Sequence, residues 1–410
     1  MGKKLLLMFI LFFSIFSISC SNPNKENPSP QNDSPEISKT DNVKIENMFS
    51  NSVTYFGKNI LTKEYKKNNT VISPLSMHLA FDMVYNGAEG ETETEMRQTL
   101  GYPSNMDKKS ISQQSKSIME NLKSNDSMTL EIANSLWAKK NFKIKKSFVD
   151  NCKKYFYAEV KNNTVPKLIN KWVSEKTHKK INKIINDGVD IDTALINAIY
   201  FNGNWVDKFN KDSTIDRDFT TLEKQKIKVP TMYKCEDMPY YENKKYQAVR
   251  LDYKGNKISM FVFLPNKNKS IDDFVKNFSQ DEFLNASKNL NRTNLELYLP
   301  KFKTECSFEL SKTVKELGMK SAFDGRANFN GIAEKLCISE IIHKTYIDVN
   351  ESGTEAAAVT AIIMNCTALP FEEEVKPKCM KVDRPFFFVL SDNDSNIPLF
   401  MGVRTKPEYK

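Results

Sequence analysis

The order in which helical and strand patterns follow one another is the most restrictive feature of this chain. Apolar residues recur at intervals of three and four in VKIENMFSNSVTYFGKNILTKEY, near residue 45, which predicts an amphipathic helix. After residue 190 the patterns are those of strands, beginning with the apolar run ALINAIYFNGNW. Because helices precede antiparallel strands without a linker or repeat, we predict one α+β domain over residues 45–410.

Turn and capping residues divide these patterns into individual elements. Ser73 before Pro74 favours a helix start, with Ser as the N-cap and Pro in the first turn. The acidic segment 89–95 predicts another helix start, and LINKWVSEKTHKKINKII at 168–185 predicts a further amphipathic helix. Later, YQAVRLDYKGNKISMFVFLPN predicts two strands joined by a turn, and RPFFFVLSD with PLFMGVRT predicts a closing hairpin.

The first 44 residues differ in composition from the rest. A basic start precedes an apolar run that ends before Cys20, and the run is short for a membrane span. It is similar to a bacterial lipoprotein signal, although Ser17 stands where that pattern prefers Leu. We expect residues 1–19 to be a signal peptide, Cys20 to be lipidated and the protein to be exported to the bacterial cell surface. Plain secretion after a nearby cut is the alternative.

Residues 20–44 form the next segment. After Cys20 this stretch contains four prolines and no aromatic residue, so it lacks the apolar surface that folding requires. We therefore expect a disordered tether that joins the lipid to the folded domain.

The sequence contains few of the residue patterns that are typical of enzyme active sites. It has three histidines (His78, His178 and His343), and no GxSxG, HExxH, GxGxxG or Walker pattern is present. The cysteines are widely spaced without a CxxC pair, so neither a zinc site nor another cofactor is indicated. We expect His343 to be a buried, hydrogen-bonded strand residue, and we expect a protein that acts by binding or by changing shape.

Charge and thiols leave two questions open. The net charge of +9 is spread over Lys-rich patches such as WAKKNFKIKK, which we interpret as solvated surface, with polyanion binding as the alternative. No nucleic-acid-binding module is recognisable, so we expect no nucleic-acid partner. Cys366 and Cys379 are either two free thiols or a disulfide, since an exported protein permits both.

The stretch GTEAAAVTAIIM at 353–364 is ambivalent. Its alanines favour a helix, yet it opens on Gly-Thr, contains β-branched residues and closes on Ile-Ile-Met. As a strand it would place one set of side chains on a single face. That set is Thr354, Ala356, Ala358, Thr360, Ile362 and Met364.

Six motifs in the same order as in the family make residues 45–410 resemble a serpin. They are NTVISPLSMHLAFDMVYNGAEGETETEMRQTLGY, LINAIYFNGNW, VPTMYKCEDMPYY, LPKFKTECSFELSKTVKELGM, IIHKTYIDVNESGTEAAAVTAIIM, and VDRPFFFVL with PLFMGVRTKP. The resemblance implies three β-sheets, about nine helices and an exposed reactive-centre loop. It also implies insertion of that loop into the main sheet as an additional strand.

The resemblance further implies an inhibitor that acts as a suicide substrate of a serine, or a cysteine, protease. We expect a monomer that supplies no catalytic group. The alternative is a non-inhibitory serpin used as a binding or chaperone module, although such relatives usually carry charged, bulky or proline residues in the hinge.

Family positions carry over onto individual residues. The hinge is expected at Glu351, Gly353, Thr354, Glu355, Ala356, Ala357 and Ala358. Counting on from Glu351 places the reactive bond at Thr367–Ala368, with the bond one residue earlier or later left open. Ser73, Ser76, Asn197 and His343 match the family's shutter, and Trp205 matches its breach. A Thr at the cleavage position indicates an elastase- or subtilisin-like target, because no Lys or Arg lies between Lys344 and Lys376.

Overall fold

The computed structural model describes residues 46–123, 127–354 and 376–409, which all belong to a unit spanning Asn42–Lys410. These residues contain nine α-helices, in agreement with the expected number. The helices are α1 Asn47–Glu64, α2 Pro74–Tyr85, α3 Gly90–Leu100, α4 Lys108–Asn121, α5 Lys146–Phe156, α6 Pro166–Lys176, α7 Ile271–Asn277, α8 Gln280–Lys288 and α9 Ser311–Glu316.

Two hydrogen-bonded sheets contain the strands of the same residues. The strands are β1 Thr70–Ile72, β2 Met128–Ala138, β3 Glu159–Lys161, β4 Thr193–Asn204, β5 Ile215–Thr220, β6 Lys226–Glu242, β7 Tyr246–Asp252, β8 Ile258–Pro265, β9 Asn291–Pro300, β10 Phe302–Glu309, β11 Glu340–Asn350, β12 Gly353–Thr354, β13 Lys378–Lys381, β14 Phe386–Asp392 and β15 Pro398–Arg404.

The nine-stranded sheet has the order β1-β15-β14-β8-β7-β6-β9-β13, with β5 pairing β6. Its long strand β6 pairs with β5 and β9 along most of its length and with β7 only at Tyr240–Glu242. One part of this sheet therefore consists of β5, β9 and β13, and the other of β7, β8, β14, β15 and β1. The three sheets that the family resemblance implies are present as the six-stranded sheet and these two parts, which β6 joins.

The six-stranded sheet has the order β10-β11-β12-β4-β2-β3 and contains the candidate site. Helix α2 packs against it and is buried at every position, from Pro74 to Tyr85. The side chain of Ser73 accepts from the backbone N–H of Ser76 at 3.3 Å, which confirms the predicted N-cap. A helix fixed at this end holds its first turn directly against the middle strands of the sheet.

One sequence prediction was wrong in part, and one strand was not predicted. The helix predicted over 168–185 ends at Lys176, because the Thr177 hydroxyl donates to the carbonyl of Val173 at 2.8 Å and accepts from Ile181 N–H. His178 follows with a positive φ of 49°, so it lies outside the helix. Strand β2, in the first half of the chain, was not predicted.

None of the helices in the part of the chain that the structure describes combines the length and apolarity needed to cross a membrane.

Candidate functional site

The two central strands of the six-stranded sheet part at one end. Strands β4 and β11 pair in parallel from Ala194 opposite Glu340 to Ile199 opposite Thr345. Beyond that point the two-residue strand β12 lies between them and pairs antiparallel with both. The sheet is therefore closed along its lower half and open at its upper end, where the segment that follows β11 enters.

Gly353 fits this opening because it lacks a side chain. Its φ is +151°, a conformation that side-chain-bearing residues avoid. A Cβ at this position would also lie 2.0 Å from the carbonyl oxygen of Gly203 on β4. The absence of a side chain at Gly353 thus allows the backbones of β12 and β4 to approach.

Thr354 is fully buried in the opening. Its hydroxyl hydrogen-bonds the hydroxyl of Tyr253 at 2.6 Å. The Tyr253 ring stacks on Trp205, with centroids 4.2 Å apart, and the Trp205 indole N–H donates to the carbonyl of Asn350 at 2.9 Å. Trp205 therefore lies beside the opening between β4 and β11, and Tyr253 is a contact that sequence reasoning missed.

A buried ion pair closes the chain reversal between β11 and β12. The Lys301 ammonium lies 3.0 Å from the Glu351 carboxylate, whose side chain is 7% exposed. Burial raises the pKa of Glu351, but backbone hydrogen bonding and Lys301 outweigh it, so the net pKa lies below the ordinary range. The ion pair fixes the backbone carbonyl of Glu351, which accepts from Phe209 N–H at 3.0 Å.

The four predicted shutter residues meet beneath the closed half of the sheet. The backbone N–H of Ser73 donates to Nε2 of His343 at 3.0 Å. Nδ1 must then carry the imidazole proton, and it donates to Oδ1 of Asn197 at 2.5 Å. The Nδ2 group of Asn197 donates to the carbonyl of Ser76 at 2.9 Å and to its hydroxyl. All four residues are buried.

These contacts set the charge of His343. Burial lowers the pKa of the imidazole to about 3, so the ring is neutral at physiological pH. Nε2 already accepts a backbone N–H, so His343 has no free lone pair with which to take a proton from a serine. The expectation of a buried, hydrogen-bonded strand histidine is confirmed, and His343 is unsuited to act as a general base.

Asn134 is a fifth member of the cluster that sequence reasoning missed. It lies on β2 directly opposite Asn197, and its Oδ1 accepts from Asn197 Nδ2 at 2.5 Å. The signal was present in the run EIANSLWA, where a lone Asn stands among residues that a central strand would bury. Without β2, that signal had no partner.

Several predicted site residues lie outside the described residues. They are Cys20, Glu355, Ala356, Ala357, Ala358, Cys366, Thr367 and Ala368. Cys379 is described and exposed, whereas Cys366, its partner in the predicted alternative, lies outside the described residues. Within residues 46–123, 127–354 and 376–409, no cluster of three His, Cys, Asp or Glu side chains is arranged to hold a metal ion.

The fold and the opening define a class of mixed α+β proteins whose six-stranded main sheet is parted at one end of its two central strands. The chain matches the family model for serpins, described as serine protease inhibitors, over residues 51–407, and it belongs to the serpin family. Members of this family generally inhibit proteases and are not themselves catalysts.

Individual relatives agree with this assignment. An uncharacterised serpin-like protein of Methanosarcina acetivorans is 35% identical over 370 residues, which cover 87% of this chain and 86% of the relative. The leukocyte elastase inhibitor of Xenopus laevis is 33% identical, with 88% of this chain and all of the relative covered. The native-state crystal structure of the thermophilic serpin tengpin is 32% identical, with a TM-score of 0.81 and coverage of 88% and 95%.

Proposed function

We propose that this protein inhibits serine proteases as a suicide substrate. The observation that carries the proposal is the parted upper end of the six-stranded sheet, which already holds Gly353 and Thr354 between β4 and β11. A segment anchored in this way is positioned to continue into the sheet once its far end is released. Strand addition would then supply the free energy for the conformational change.

The register of the opening supports complete insertion. Thr354 lies opposite Gly203 of β4 and Val349 of β11. Because the segment runs antiparallel to both strands, each later residue would face one residue earlier on each strand. Continued in this way, Met364 would reach Thr193, where β4 begins. The stretch 353–364 is thus as long as the strand it would join.

Insertion would also leave the two central strands in register. The offset between β4 and β11 at β12 equals the offset in their paired half, where Ala194 lies opposite Glu340. The strands need only separate sideways, without sliding. Lateral separation breaks their shared hydrogen bonds and replaces them with two sets to the entering strand, which favours the inserted state.

Side-chain identity along the segment matches the positions it would occupy. At the same register Ala356 would face Phe201 and Ile347, where a small side chain avoids overpacking. Thr360 would arrive between Asn197 and His343. Its hydroxyl would there replace the hydrogen bond that the two residues share in the closed sheet. Thr360, in the middle of the inward face, would therefore reach the polar pair Asn197 and His343.

The reaction would begin as ordinary proteolysis. The protease serine Oγ would attack the Thr367 carbonyl, an ester would form, and Ala368 would leave as a free amine that takes up the proton. Insertion of 355–364 would then carry the ester-linked protease along the sheet before water hydrolyses the ester. The small Thr367 side chain favours elastase- or subtilisin-like targets. The relative from Xenopus laevis is a leukocyte elastase inhibitor, which agrees with this choice.

Incubation with pancreatic elastase and with subtilisin tests this function. We expect a covalent complex that survives SDS, together with a released C-terminal peptide whose mass places the cut at Thr367–Ala368. Complete cleavage without any complex, with both enzymes, would contradict inhibition and favour the binding-module alternative. Trypsin serves as the control enzyme, since residues 345–375 contain no Lys or Arg.

The N-terminal segment is the basis of a proposal about where the protein is located. Cys20, after an apolar run that follows a basic start, would carry a lipid, and residues 20–44 would tether a monomeric inhibitor to the outside of a bacterial cell. Labelling with a radioactive fatty acid tests this: the wild-type chain should incorporate label and Cys20→Ala should not. Equal labelling of both chains would contradict the anchor.

A further inference from the structure

A cleft of about 700 Å³ lies where three connecting segments of the nine-stranded sheet meet. The segments are residues 220–224 at the turn from β5 to β6, residues 265–272 from the end of β8 into α7, and residues 383–385 before β14. Loop insertion, as proposed above, takes place in the six-stranded sheet and uses none of these residues. The cleft is therefore a feature that the proposed inhibition does not explain.

Arg384 connects the walls of this cleft. Its Nε donates to the carbonyl of Pro265 at 3.0 Å, and its Nη1 donates to the carboxylate of Asp383 at 2.8 Å. The backbone N–H of Thr220 donates to the carbonyl of Asp383 at 2.8 Å, which adds the third wall. The Arg384 side chain is 19% exposed, and within the described part of the chain its Nη2 has no hydrogen-bond partner. Nη2 is thus a fixed donor that is available to a molecule in the cleft.

The lining of the cleft carries an excess of positive charge. Five cationic side chains and three carboxylates line it, which leaves a surplus of two positive charges. The cations are Lys67, Lys224, Lys267, Lys269 and Arg384, and the carboxylates are Glu223, Asp272 and Asp383. Because a concave surface focuses the field of its charges, such a surplus favours an anion, and a dianion would neutralise it.

Two of the three carboxylates are already bound within the walls. Asp272 accepts from the Tyr65 hydroxyl at 2.9 Å and lies 3.8 Å from the Lys67 ammonium. Asp383 accepts from Nη1 of Arg384. These two carboxylates therefore compete weakly for the remaining cations.

Three ammonium groups and one carboxylate remain at the cleft. Within residues 46–123, 127–354 and 376–409, Lys224, Lys267 and Lys269 take part in no ion pair and in no side-chain hydrogen bond. The remaining carboxylate is Glu223, whose pKa is lowered chiefly by a hydrogen bond from its own backbone N–H, so it is ionised. Three unpaired cations against one carboxylate again leave two positive charges.

We propose that this cleft binds a small, soluble phosphate monoester with an apolar body. A phosphate monoester carries close to two negative charges at pH 7.5, because its second pKa is about 6. Its oxygens accept from Nη2 of Arg384 and from the ammonium groups of Lys267 and Lys269. The apolar body packs against the apolar side chains of the lining, which are Leu222, Pro265, Ile271 and Pro385.

Calorimetric titration of the intact chain with phenyl phosphate, at pH 7.5 and low salt, tests the site. The wild type should bind one equivalent saturably, and phenyl sulfate, which has a similar shape but a single negative charge, should bind about tenfold more weakly. Lys267→Gln should weaken phenyl phosphate binding about three- to tenfold. Lys276→Gln is the matched control, because it removes the same charge from an exposed position of α7 outside the cleft, and it should bind like the wild type.

Glu223→Gln tests the sign of the electrostatic argument. The substitution removes the one carboxylate that no cation neutralises, so it should tighten phenyl phosphate binding. Unchanged or weaker binding by this variant would contradict a site for an anion. If Lys267→Gln does not fold, Glu223→Gln decides.

The other outcomes are equally distinct. Absence of saturable binding to phenyl phosphate, equal affinities for phenyl phosphate and phenyl sulfate, or equal affinities of Lys267→Gln and Lys276→Gln each overturn the proposal. Binding to phosphatidylglycerol vesicles without binding to phenyl phosphate would assign the cleft to a lipid headgroup and overturn a soluble ligand. Lys267→Gln should form the SDS-stable complex with elastase as the wild type does, so failure of either proposal is distinguishable from failure of the other.

Discussion

His343 on β11 and Asn197 on β4 share a buried hydrogen bond of 2.5 Å across the two central strands of the six-stranded sheet. Each residue also contacts the first turn of α2 or the residue before it, through Ser76 and Ser73. Strand separation therefore requires one internal hydrogen bond to break in the middle of the sheet. The strength of this bond depends on His343 remaining neutral.

Lowering the pH should decrease the free energy of unfolding through the protonation of His343. The pKa of His343 is about 3 in the folded chain, against about 6.5 for an unperturbed histidine. Between these values the unfolded chain binds one more proton, so the free energy of unfolding falls as pH drops, by up to about 1.4 kcal/mol per pH unit. His343→Gln should lack this component. Denaturant titrations from pH 7.5 to 4 should therefore show a shallower slope for the variant, and identical slopes would contradict the assignment.

Charge at the hinge should convert the protein from inhibitor to substrate. Thr354 is fully buried beside Tyr253, so Thr354→Arg would place a guanidinium in an apolar opening and stop insertion. We expect complete cleavage by elastase with no SDS-stable complex. Thr354→Val is the matched control: it loses one hydrogen bond, worth about 1 kcal/mol, and should still form complex. Complex formation by the Arg variant would contradict the hinge assignment.

Loss of the buried ion pair should loosen the upper end of the sheet. Glu351→Gln leaves the Lys301 ammonium, at 16% exposure, without its carboxylate, and should lower the free energy of unfolding by about 1–3 kcal/mol. Lys301→Met in the same chain should recover part of that loss, because it removes the unpaired charge. A denaturant-based double-mutant cycle measures the coupling. Strictly additive effects would show that the pair does not contribute.

Thr360 provides a test of the insertion register. If it arrives between Asn197 and His343, Thr360→Lys should halt insertion midway, whereas Thr360→Ser, which keeps the hydroxyl, should inhibit normally. Val359→Lys is the matched control, because the alternation of a strand would turn the side chain at 359 to the opposite face. Measured stoichiometries of elastase inhibition should rise for Thr360→Lys far more than for Val359→Lys. The reverse order would show that the register is shifted by one residue.

Local signals explain which parts of the fold were predictable. Helix α2 begins where Ser73 and Pro74 predicted, and the hairpin β14–β15 lies where the two apolar runs predicted, because capping and burial act over a few residues. Helix α6 ends early because the Thr177 hydroxyl takes over backbone hydrogen bonds, an effect that apolar periodicity does not register. Strand β2 was missed because both of its faces are largely buried, which removes the alternation of a half-exposed strand.

The residues of the candidate site likewise divide into those that could be predicted from the sequence and those that could not. Gly353, Thr354 and Trp205 were identified because the motifs that contain them resemble those of the serpin family. Tyr253, Lys301 and Asn134 were not, because each acquires its role from a partner distant in sequence: Thr354, Glu351 and Asn197. Such pairings depend on strand register, which a single sequence does not specify at long range.

Comparison of the thermal unfolding of the intact chain with that of the chain cut once between 364 and 370 tests the account most directly. Insertion adds a full strand between β4 and β11, so the cut form should unfold at a temperature higher by on the order of 10 °C or more, with Thr354→Arg as the control that gains nothing. A cut wild-type chain that unfolds at or below the temperature of the intact chain would contradict insertion, and with it the proposed inhibition.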